Sequence, residues 1–318
     1  MPGEFEFINN LKSRYGLDKI GDDCAVLPKD DLTDQLLTTD MLIEDIDYRL
    51  GWTTPEFLGH KALAVSLSDI AAMGGDPTWA MLSIGVPENL WNSDFLDRLY
   101  DGWHALAQEF GVELVGGDVS RSPDKLVIDS IVGGQVGKGK AILRSTAKEG
   151  NRIFVSGKLG SAAGGLHLLE NGQRYSDQDT GEITKLLRKQ LKPQPQVMLS
   201  NIMQELAIAT SMIDLSDGLS SDLSHLCTLG HLGARIEAQK LPIAAGLKAK
   251  FPADDCFQMA LHGGEDFELL FTVDKKNISL LKKLPVTQIG EITANVGVIE
   301  LIIGGETRIL EPKGYRHF

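Results

Sequence analysis

Residues 211 to 219 read Ser-Met-Ile-Asp-Leu-Ser-Asp-Gly-Leu and place two carboxylates, Asp214 and Asp217, inside an apolar run. An ionised carboxylate in a buried strand must be paired, hydrogen-bonded or bound to a metal. Asp217 and Gly218 also suit the start of a helix expected over 217–229, where a carboxylate can cap free N–H groups. Taken alone, Asp-x-x-Asp-Gly is more typical of a turn or a cap than of an acidic site.

Acidic residues recur in similar settings along the chain, at turns, in strands and on the apolar face of a helix. The other stretches are Gly21-Asp22-Asp23, Thr38-Thr39-Asp40, Ser68-Asp69, Gly116-Gly117-Asp118 and Gly263-Gly264-Glu265-Asp266. If these acids converge, their mutual repulsion raises several pKa values unless cations neutralise them. Oxygen ligands without Cys or His indicate Mg²⁺ or Mn²⁺, which often binds a few carboxylates together with substrate phosphates. The pattern therefore predicts nucleotide-dependent phosphoryl transfer.

Strand and helix patterns alternate from one end of the chain to the other, which predicts an α/β or α+β fold in two halves. A length of 318 residues suits two domains. The polar turn at 145–151 is the predicted boundary, giving an N-terminal domain over 1–148 and a C-terminal domain over 149–318. A hydrophobic content of 42% predicts sizeable cores.

Composition also bounds the partners and the compartment. The net charge of −13 argues against non-specific nucleic-acid binding and against an anionic membrane surface. No window approaches about 18 uninterrupted apolar residues, so we expect no membrane span. The N-terminus lacks the pattern of a signal peptide, and the three cysteines show neither disulfide nor zinc spacing. A cytoplasmic enzyme is therefore expected.

Common phosphate-binding and nucleophilic motifs are not convincing in this sequence. Residues 134–140 match most of a Walker A pattern, but Ala141 stands where the metal-binding Ser or Thr belongs. The seven histidines are scattered and suggest no nucleophile–base arrangement. Lys61 could reach a phosphate, or could extend along its helix to solvent. Arg144, at the domain boundary, is either a surface residue or a basic group facing a phosphate-filled cleft.

The motifs together resemble the thiamine-monophosphate kinase family, within the superfamily of aminoimidazole ribonucleotide synthetase and selenophosphate synthetase. The resemblance runs nearly end to end. It rests on Gly-Asp-Asp-Cys-Ala at 21–25, Thr-Thr-Asp at 38–40, Lys-Ala-Leu-Ala-Val-Ser-Leu-Ser-Asp-Ile-Ala-Ala-Met-Gly at 61–74, Gly-Gly-Asp at 116–118, Leu-Arg-Ser at 143–145, Ile-Asp-Leu-Ser-Asp-Gly-Leu at 213–219, Gly-Gly-Glu-Asp-Phe-Glu-Leu at 263–269 and Lys-Gly-Tyr-Arg-His-Phe at 313–318.

The resemblance implies transfer of the γ-phosphoryl group of ATP to thiamine monophosphate, giving thiamine diphosphate. It implies an N-terminal mixed-sheet domain through which the chain forms a homodimer, and a C-terminal α/β domain that completes the site. The implied magnesium ligands are Asp23, Thr38, Thr39, Asp40, Asp69, Asp118, Asp214 and Asp217, of which Asp40, Asp69 and Asp217 are the expected catalytic residues. The implied ATP contacts are Tyr100, Gly117, Asp118, Arg144 and Ser216. The implied acceptor contacts are Asp47, Glu265 and Phe318.

Two positions depart from the family pattern. Asp47 stands at the place of a substrate-contacting histidine, and Gln196 stands where arginine is common. An acid at position 47 would not attract the acceptor's phosphate unless a metal or a lysine intervened. Two other functions stay open: an ATP-dependent synthetase that activates a carbonyl oxygen or captures selenide, and a metal-binding scaffold without ATP hydrolysis. The selenide function is disfavoured because no Cys lies near a glycine-rich N-terminus.

Overall fold

The computed structural model describes residues 4–317. Helices of the N-terminal half are α1 (Glu4–Tyr15), α2 (Pro55–Ala72), α3 (Glu88–Trp91) and α4 (Phe95–Phe110), and its strands are β1 (Ala25–Pro28), β2 (Thr33–Ile43), β3 (Asp76–Val86), β4 (Glu113–Arg121) and β5 (Val127–Gly137). The strands form one sheet in the order β1-β2-β5-β3-β4. Strands β3 and β4 run parallel and the other neighbours run antiparallel, so the sheet is mixed.

The C-terminal half builds a seven-stranded sheet with helices packed against it. Its strands are β6 (Arg152–Ser156), β7 (Ala209–Asp214), β8 (Gly233–Glu237), β9 (Leu269–Val273), β10 (Val286–Thr293), β11 (Ile299–Ile303) and β12 (Glu306–Ile309), in the order β12-β11-β8-β10-β6-β9-β7. Its helices are α5 (Ser161–Glu170), α6 (Glu182–Leu191), α7 (Val197–Glu205), α8 (Leu219–Gly230), α9 (Ala245–Lys250) and α10 (Ala253–His262). Short 3₁₀ helices cover Arg144–Thr146, Ala238–Lys240 and Lys275–Leu281.

The predicted α/β class is confirmed, and two local predictions differ from the structure. The sequence near 275–284 predicts a helix, and the structure has the 3₁₀ helix Lys275–Leu281 there. Asp274, which caps its start, accepts a hydrogen bond from the backbone N–H of Lys276 at 3.0 Å. Pro285 lies just beyond it and limits its length. Helix α8 begins at Leu219 rather than at Asp217, because Gly218 adopts a φ of +115° that a helix does not use.

Helix α2 is the central helix of the N-terminal half and is buried on nearly every side. Its start is fixed by Thr54, whose hydroxyl accepts from the backbone N–H of Phe57 at 3.2 Å, and by Pro55 at the first helical position. Gly59 lets α4 approach closely, since a Cβ there would lie 1.8 Å from the carbonyl oxygen of Leu99. Because α2 is apolar and buried along most of its length, Asp69 near its end lies in the interior of the molecule.

One hydrophobic core extends across both halves. It joins Leu63 and Leu67 of α2 to Met212 of β7 and to Phe154 and Phe271, whose rings stack with centroids 5.7 Å apart. This shared core holds α2 against the carboxyl end of β7, so residues from both halves meet there. Within residues 4–317, no helix is both long and apolar enough to cross a membrane.

Candidate active site

Three carboxylates form the centre of the site. Asp23, Asp69 and Asp214 each place a carboxylate oxygen within 4.8 Å of the others. Asp23 precedes β1, Asp69 lies in the last turn of α2 and Asp214 ends β7. Three separate elements therefore converge on one acidic group.

Hydroxyl groups hold the carboxylates in place. Ser68 donates to Asp214 at 2.6 Å, and Thr38 makes a short hydrogen bond to Asp69. Ser66, also on α2, donates to Asp40 at 2.7 Å. A carboxylate that accepts such a bond keeps a fixed orientation, so α2 and β2 together pre-arrange Asp40 beside the three central acids.

Burial and mutual repulsion make these acids hard to ionise without a cation. Burial raises the pKa of Asp40 to about 6, and the charges of Asp129 and Asp23 add to the effect. Burial and the charge of Asp23 raise the pKa of Asp214 to about 7. The pKa of Asp69 lies well above its usual range for the same reasons. Raised pKa values in a group of acids are typical of a site whose negative charge the protein's own cations do not fully neutralise.

Arg144 is a basic group within the site. Its guanidinium binds the carboxylate of Asp23 with two hydrogen bonds, of 3.0 Å and 2.7 Å, and its backbone N–H donates to Asp22 at 2.7 Å. The Arg144 side chain is only 17% exposed. Of the two alternatives open at this position, the surface arginine is excluded. Such a planar fork also suits a phosphate.

Asp217 belongs to a second group beside the first. Asp217, Asp222 and His225 place one ligand atom each within 4.8 Å of one another, and burial raises the pKa of Asp217. Gly218, not Asp217, occupies the cap position of α8, and its N–H donates to Asp222 at 2.9 Å. The capping alternative for Asp217 is therefore wrong.

A cleft of about 760 Å³ lies between the two halves, and Asp40 and Asp217 border it. Its lining includes Asp40, Asp47, Lys61, Ser216, Asp217 and Glu265. Ser216 donates to Asp214 at 3.3 Å, which ties the cleft wall to the acidic centre. The cleft is large enough for a small substrate to lie against the carboxylates.

Two of the predicted acceptor contacts have specific partners in the cleft. The Asp47 carboxylate accepts from the backbone N–H of Ile43 at 2.7 Å, so it closes its own turn. Glu265 makes an ion pair with Lys61 at 2.6 Å. Lys61 is thus buried and paired, and the alternative in which it extends to solvent is wrong.

Four other predicted residues lie elsewhere. Thr39 points to the opposite face of the sheet and donates to Asp129 at 2.7 Å. Gly117 and Asp118 lie on the exposed strand β4, and Tyr100 on α4 packs against the core without lining the cleft. Gly117 cannot carry a side chain, because its φ is +157° and a Cβ would lie 2.0 Å from the carbonyl oxygen of Leu82. Phe318 lies outside the described residues.

Several residues of the site were not identified from the sequence. Ser66 contacts Asp40, and Asp22 contacts Arg144. Neither contact could be predicted from sequence spacing. Asp222 and His225 lie three residues apart on α8, a helical spacing that places both side chains on one face of that helix.

Comparison with known proteins identifies the family. Residues 21–136 match the AIR synthase related protein N-terminal domain, and residues 148–302 match its C-terminal domain. The chain is 38% identical to the thiamine-monophosphate kinase of Escherichia coli strain K12, covering 99% of this chain and 98% of that protein. It is 35% identical to the thiamine-monophosphate kinase of Bacillus subtilis strain 168, covering 99% of both.

A solved structure shares the whole fold. AaThiL complexed with AMPPCP and TMP superposes with a TM-score of 0.88 at 32% identity, covering 99% of this chain and 97% of that one. The match includes both halves, so it extends over all the elements that build the acidic cleft. The chain therefore belongs to the thiamine-monophosphate kinase family of AIR synthase related proteins.

Proposed function

We propose that the chain phosphorylates thiamine monophosphate with ATP, by direct in-line transfer in an acidic cleft that holds several magnesium ions. The convergence of Asp23, Asp69 and Asp214 carries this proposal, together with the neighbouring Asp40, which lines the cleft. The relative complexed with AMPPCP and TMP supports the choice of donor and acceptor. Phosphoryl transfer depends mainly on positioning and charge neutralisation, which such a site supplies.

The residues present fit magnesium. The donors are carboxylate and hydroxyl oxygens, and the acids are buried with raised pKa values that a divalent cation would offset. Asp23, Thr38, Asp40, Asp69 and Asp214 would hold the ions at the centre, with Asp217 beside them. Thr39 and Asp118 stay candidates from the resemblance. When bound, magnesium neutralises charge on the phosphates.

Arg144 and Ser216 are the proposed contacts of the ATP phosphates, with Gly117 and Tyr100 as further candidates. Arg144 is already directed into the acidic centre through its two bonds to Asp23. A phosphate offers a guanidinium the same bidentate partner as a carboxylate, so ATP can compete for Arg144. Ser216 lies beside Asp214 at the cleft wall, where its hydroxyl can donate to a phosphate oxygen.

Glu265, Asp47 and Phe318 are the proposed contacts of thiamine monophosphate. The acceptor's phosphate needs no strong general base, because its second pKa is about 6 and it is largely ionised at neutral pH. The hydrogen bond from Ile43 directs one Asp47 oxygen to the backbone. This turn contact supports a role for Asp47 in shaping the loop at the acceptor end.

We also propose a cytoplasmic homodimer that pairs through the outer face of the five-stranded sheet. Met41 and Met81 are 57% and 37% exposed, and they lie on strands whose alternate residues face outward. Every residue of the edge strand β4 is exposed. An apolar sheet face beside an unpaired edge suits association with a second copy.

Product analysis tests the proposed function. Purified protein is incubated with ATP, excess Mg²⁺ and thiamine monophosphate, and thiamine diphosphate is resolved by chromatography, with EDTA as the control. We expect thiamine diphosphate only when the metal is present. Binding of ATP with Mg²⁺ but no thiamine diphosphate would show that the acceptor is wrong, and would favour a synthetase reaction of the superfamily.

A further inference from the structure

The ion pair between Lys61 and Glu265 joins the two halves across the cleft. Lys61 lies in the second turn of α2, and Glu265 lies between α10 and β9. The two charged groups are 2.6 Å apart, and the side chain of Lys61 is only 5% exposed. A buried ammonium without a partner is costly, so the pair fixes the position of both groups.

Glu265 is held at its other carboxylate oxygen and through its backbone as well. The side-chain amide of Gln190, itself buried, donates to Oε2. The backbone N–H of Glu265 donates to the carbonyl oxygen of Ser216 at 2.8 Å, and its φ is +63°. A glutamate rarely adopts this left-handed conformation, and it persists here because these contacts hold the segment.

This arrangement changes what Glu265 can recognise. Lys61 cancels the charge of the carboxylate, so the pair attracts a cationic ligand only weakly. Each carboxylate oxygen has more than one acceptor site, and both keep capacity for a further N–H donor. The Glu265 side chain is 29% exposed and lines the cleft. The pair therefore presents a fixed acceptor without a net charge.

The position of the pair indicates which part of the acceptor it meets. Lys61, Val65 and Asp69 follow one another at i, i+4 and i+8 on one face of α2. At a rise of 1.5 Å per residue, the backbone positions of Lys61 and Asp69 lie about 12 Å apart along the helix axis. An acceptor whose phosphate lies at the acidic centre would extend its aromatic end toward Glu265.

We propose that Lys61 is a positioning residue that determines acceptor specificity: it makes Glu265 read the amino group of the acceptor's aminopyrimidine ring, rather than the positive charge of its thiazolium ring. This inference rests on the proposed function. Without the ammonium, the carboxylate loses the ion pair that fixes its orientation and turns toward solvent, so the fixed acceptor for the amino group is lost.

The test compares thiamine monophosphate with oxythiamine monophosphate, in which an oxo group replaces the amino group. Wild-type enzyme should favour the amino substrate in kcat/KM. Lys61→Met should reduce this preference at least about tenfold, since the amino group loses its acceptor. Lys61→Arg should keep the preference within about threefold, because a cation still pairs with Glu265. The KM for ATP should stay the same in both variants.

Two further variants separate positioning from a purely structural role. If Lys61 acts through Glu265, the double variant Lys61→Met/Glu265→Gln should match Glu265→Gln alone, which is the non-additivity expected of coupled residues. Lys189→Met is the matched control, because it breaks another buried pair, to Glu268 at 2.8 Å, that does not line the cleft. It should lower the melting temperature and leave the substrate preference unchanged.

An unchanged preference in Lys61→Met, or a comparable loss in Lys189→Met, would overturn the inference. So would additive effects in the double variant. If wild-type enzyme forms no thiamine diphosphate, the proposed function fails first and the inference fails with it. If wild-type enzyme is active and the Lys61 variants keep their preference, the inference alone fails.

Discussion

Asp69 is the residue on which the acidic centre most depends, because it faces Asp23 and Asp214 and interrupts the apolar face of α2. Asn in its place keeps the size and removes the charge. We predict that Asp69→Asn lowers kcat/KM at least about 100-fold, equivalent to about 2.7 kcal/mol of transition-state stabilisation. Steady-state kinetics at saturating Mg²⁺ would measure the loss.

The same substitution should not weaken the metal-free fold. Since burial and repulsion from neighbouring acids raise the pKa of Asp69, removing its charge relieves an unfavourable contact. The melting temperature without Mg²⁺ should stay level or rise. Asp31→Asn, which changes an exposed acid in the turn between β1 and β2, serves as the control and should affect neither quantity. Near-normal turnover in Asp69→Asn would count heavily against the metal site.

Stability without metal should fall as pH rises through the titration of the buried acids. Asp40 and Asp214 have folded-state pKa values of about 6 and about 7, above an ordinary value of 3.8, so the folded protein binds more protons than the unfolded chain in this window. Their contribution is fully present below about pH 4 and is lost as pH rises to about 7. Mg²⁺ should reverse the loss, because metal binding favours the deprotonated acids.

Melting curves at pH 5, 6, 7 and 8, with and without Mg²⁺, test this pH dependence. The stabilisation by Mg²⁺ should grow by roughly 3 °C or more between pH 5 and pH 8, from the size scaling of melting temperatures. An increase in melting temperature with Mg²⁺ that is independent of pH, or larger at pH 5, would contradict the prediction.

At this scale the sequence predicted the acids and not their partners. Asp23, Asp69 and Asp214 could be identified because a carboxylate in an apolar setting must be paired, hydrogen-bonded or bound to a metal. The pairing of Lys61 with Glu265 joins distant parts of the chain, and such a contact depends on tertiary structure rather than on local spacing. The two alternatives at Lys61 could therefore be separated only by the fold.

Among the elements, α2 has the strictest packing requirement. A Cβ on Gly59 would lie 1.8 Å from the carbonyl oxygen of Leu99, so a methyl group there forces α4 away from α2. We predict that Gly59→Ala lowers the free energy of unfolding by about 2–3 kcal/mol, as overpacking typically does. Chemical denaturation would measure the change.

Gly51→Ala is the matched control for this packing argument. A Cβ on Gly51 meets no atom within 4 Å, and its backbone is not in the left-handed region. The control should change the unfolding free energy by less than about 0.5 kcal/mol. Equal stability of the Gly59 and Gly51 variants would show that the two helices do not need their close approach.

Elements with strong periodicity were predicted well, and their ends less so. The sequence predicts a helix over 55–73, with Pro55 near its start and Gly74-Gly75 after its end, and the structure has α2 over Pro55–Ala72. The start of α8 depended on the φ of Gly218, which the sequence does not reveal. The segment after Asp274 has a helical composition but forms a 3₁₀ helix, a choice that local composition does not reveal.

For the whole molecule, the exposed sheet face leads to a prediction about assembly. Met81 lies on β3 and is 37% exposed, and a charge there would be buried in a dimer that pairs through this face. We predict that Met81→Glu converts the homodimer to a 34.6 kDa monomer in sedimentation velocity. Leu280→Glu, at an exposed position in the C-terminal half, should leave the dimer intact. A monomeric wild-type protein would refute the proposed assembly.

The two-half architecture was predicted by alternating strand and helix patterns, but the strand orders were not. The parallel pairing of β3 with β4 and of β8 with β11 depends on connections that local patterns do not specify. The convergence of Asp23 and Asp214, from opposite halves, follows from the core that the halves share. Only the family resemblance predicted that Asp23 and Asp214 lie in one site.

The central proposal is that the γ-phosphoryl group of ATP is transferred to thiamine monophosphate, and following this group as a radioactive label tests it most directly. The protein is incubated with [γ-³²P]ATP, Mg²⁺ and thiamine monophosphate, and the radioactive products are separated by chromatography. We predict that the label appears in thiamine diphosphate in step with ADP formation. Label that accumulates only as inorganic phosphate, with no labelled thiamine diphosphate, would contradict it.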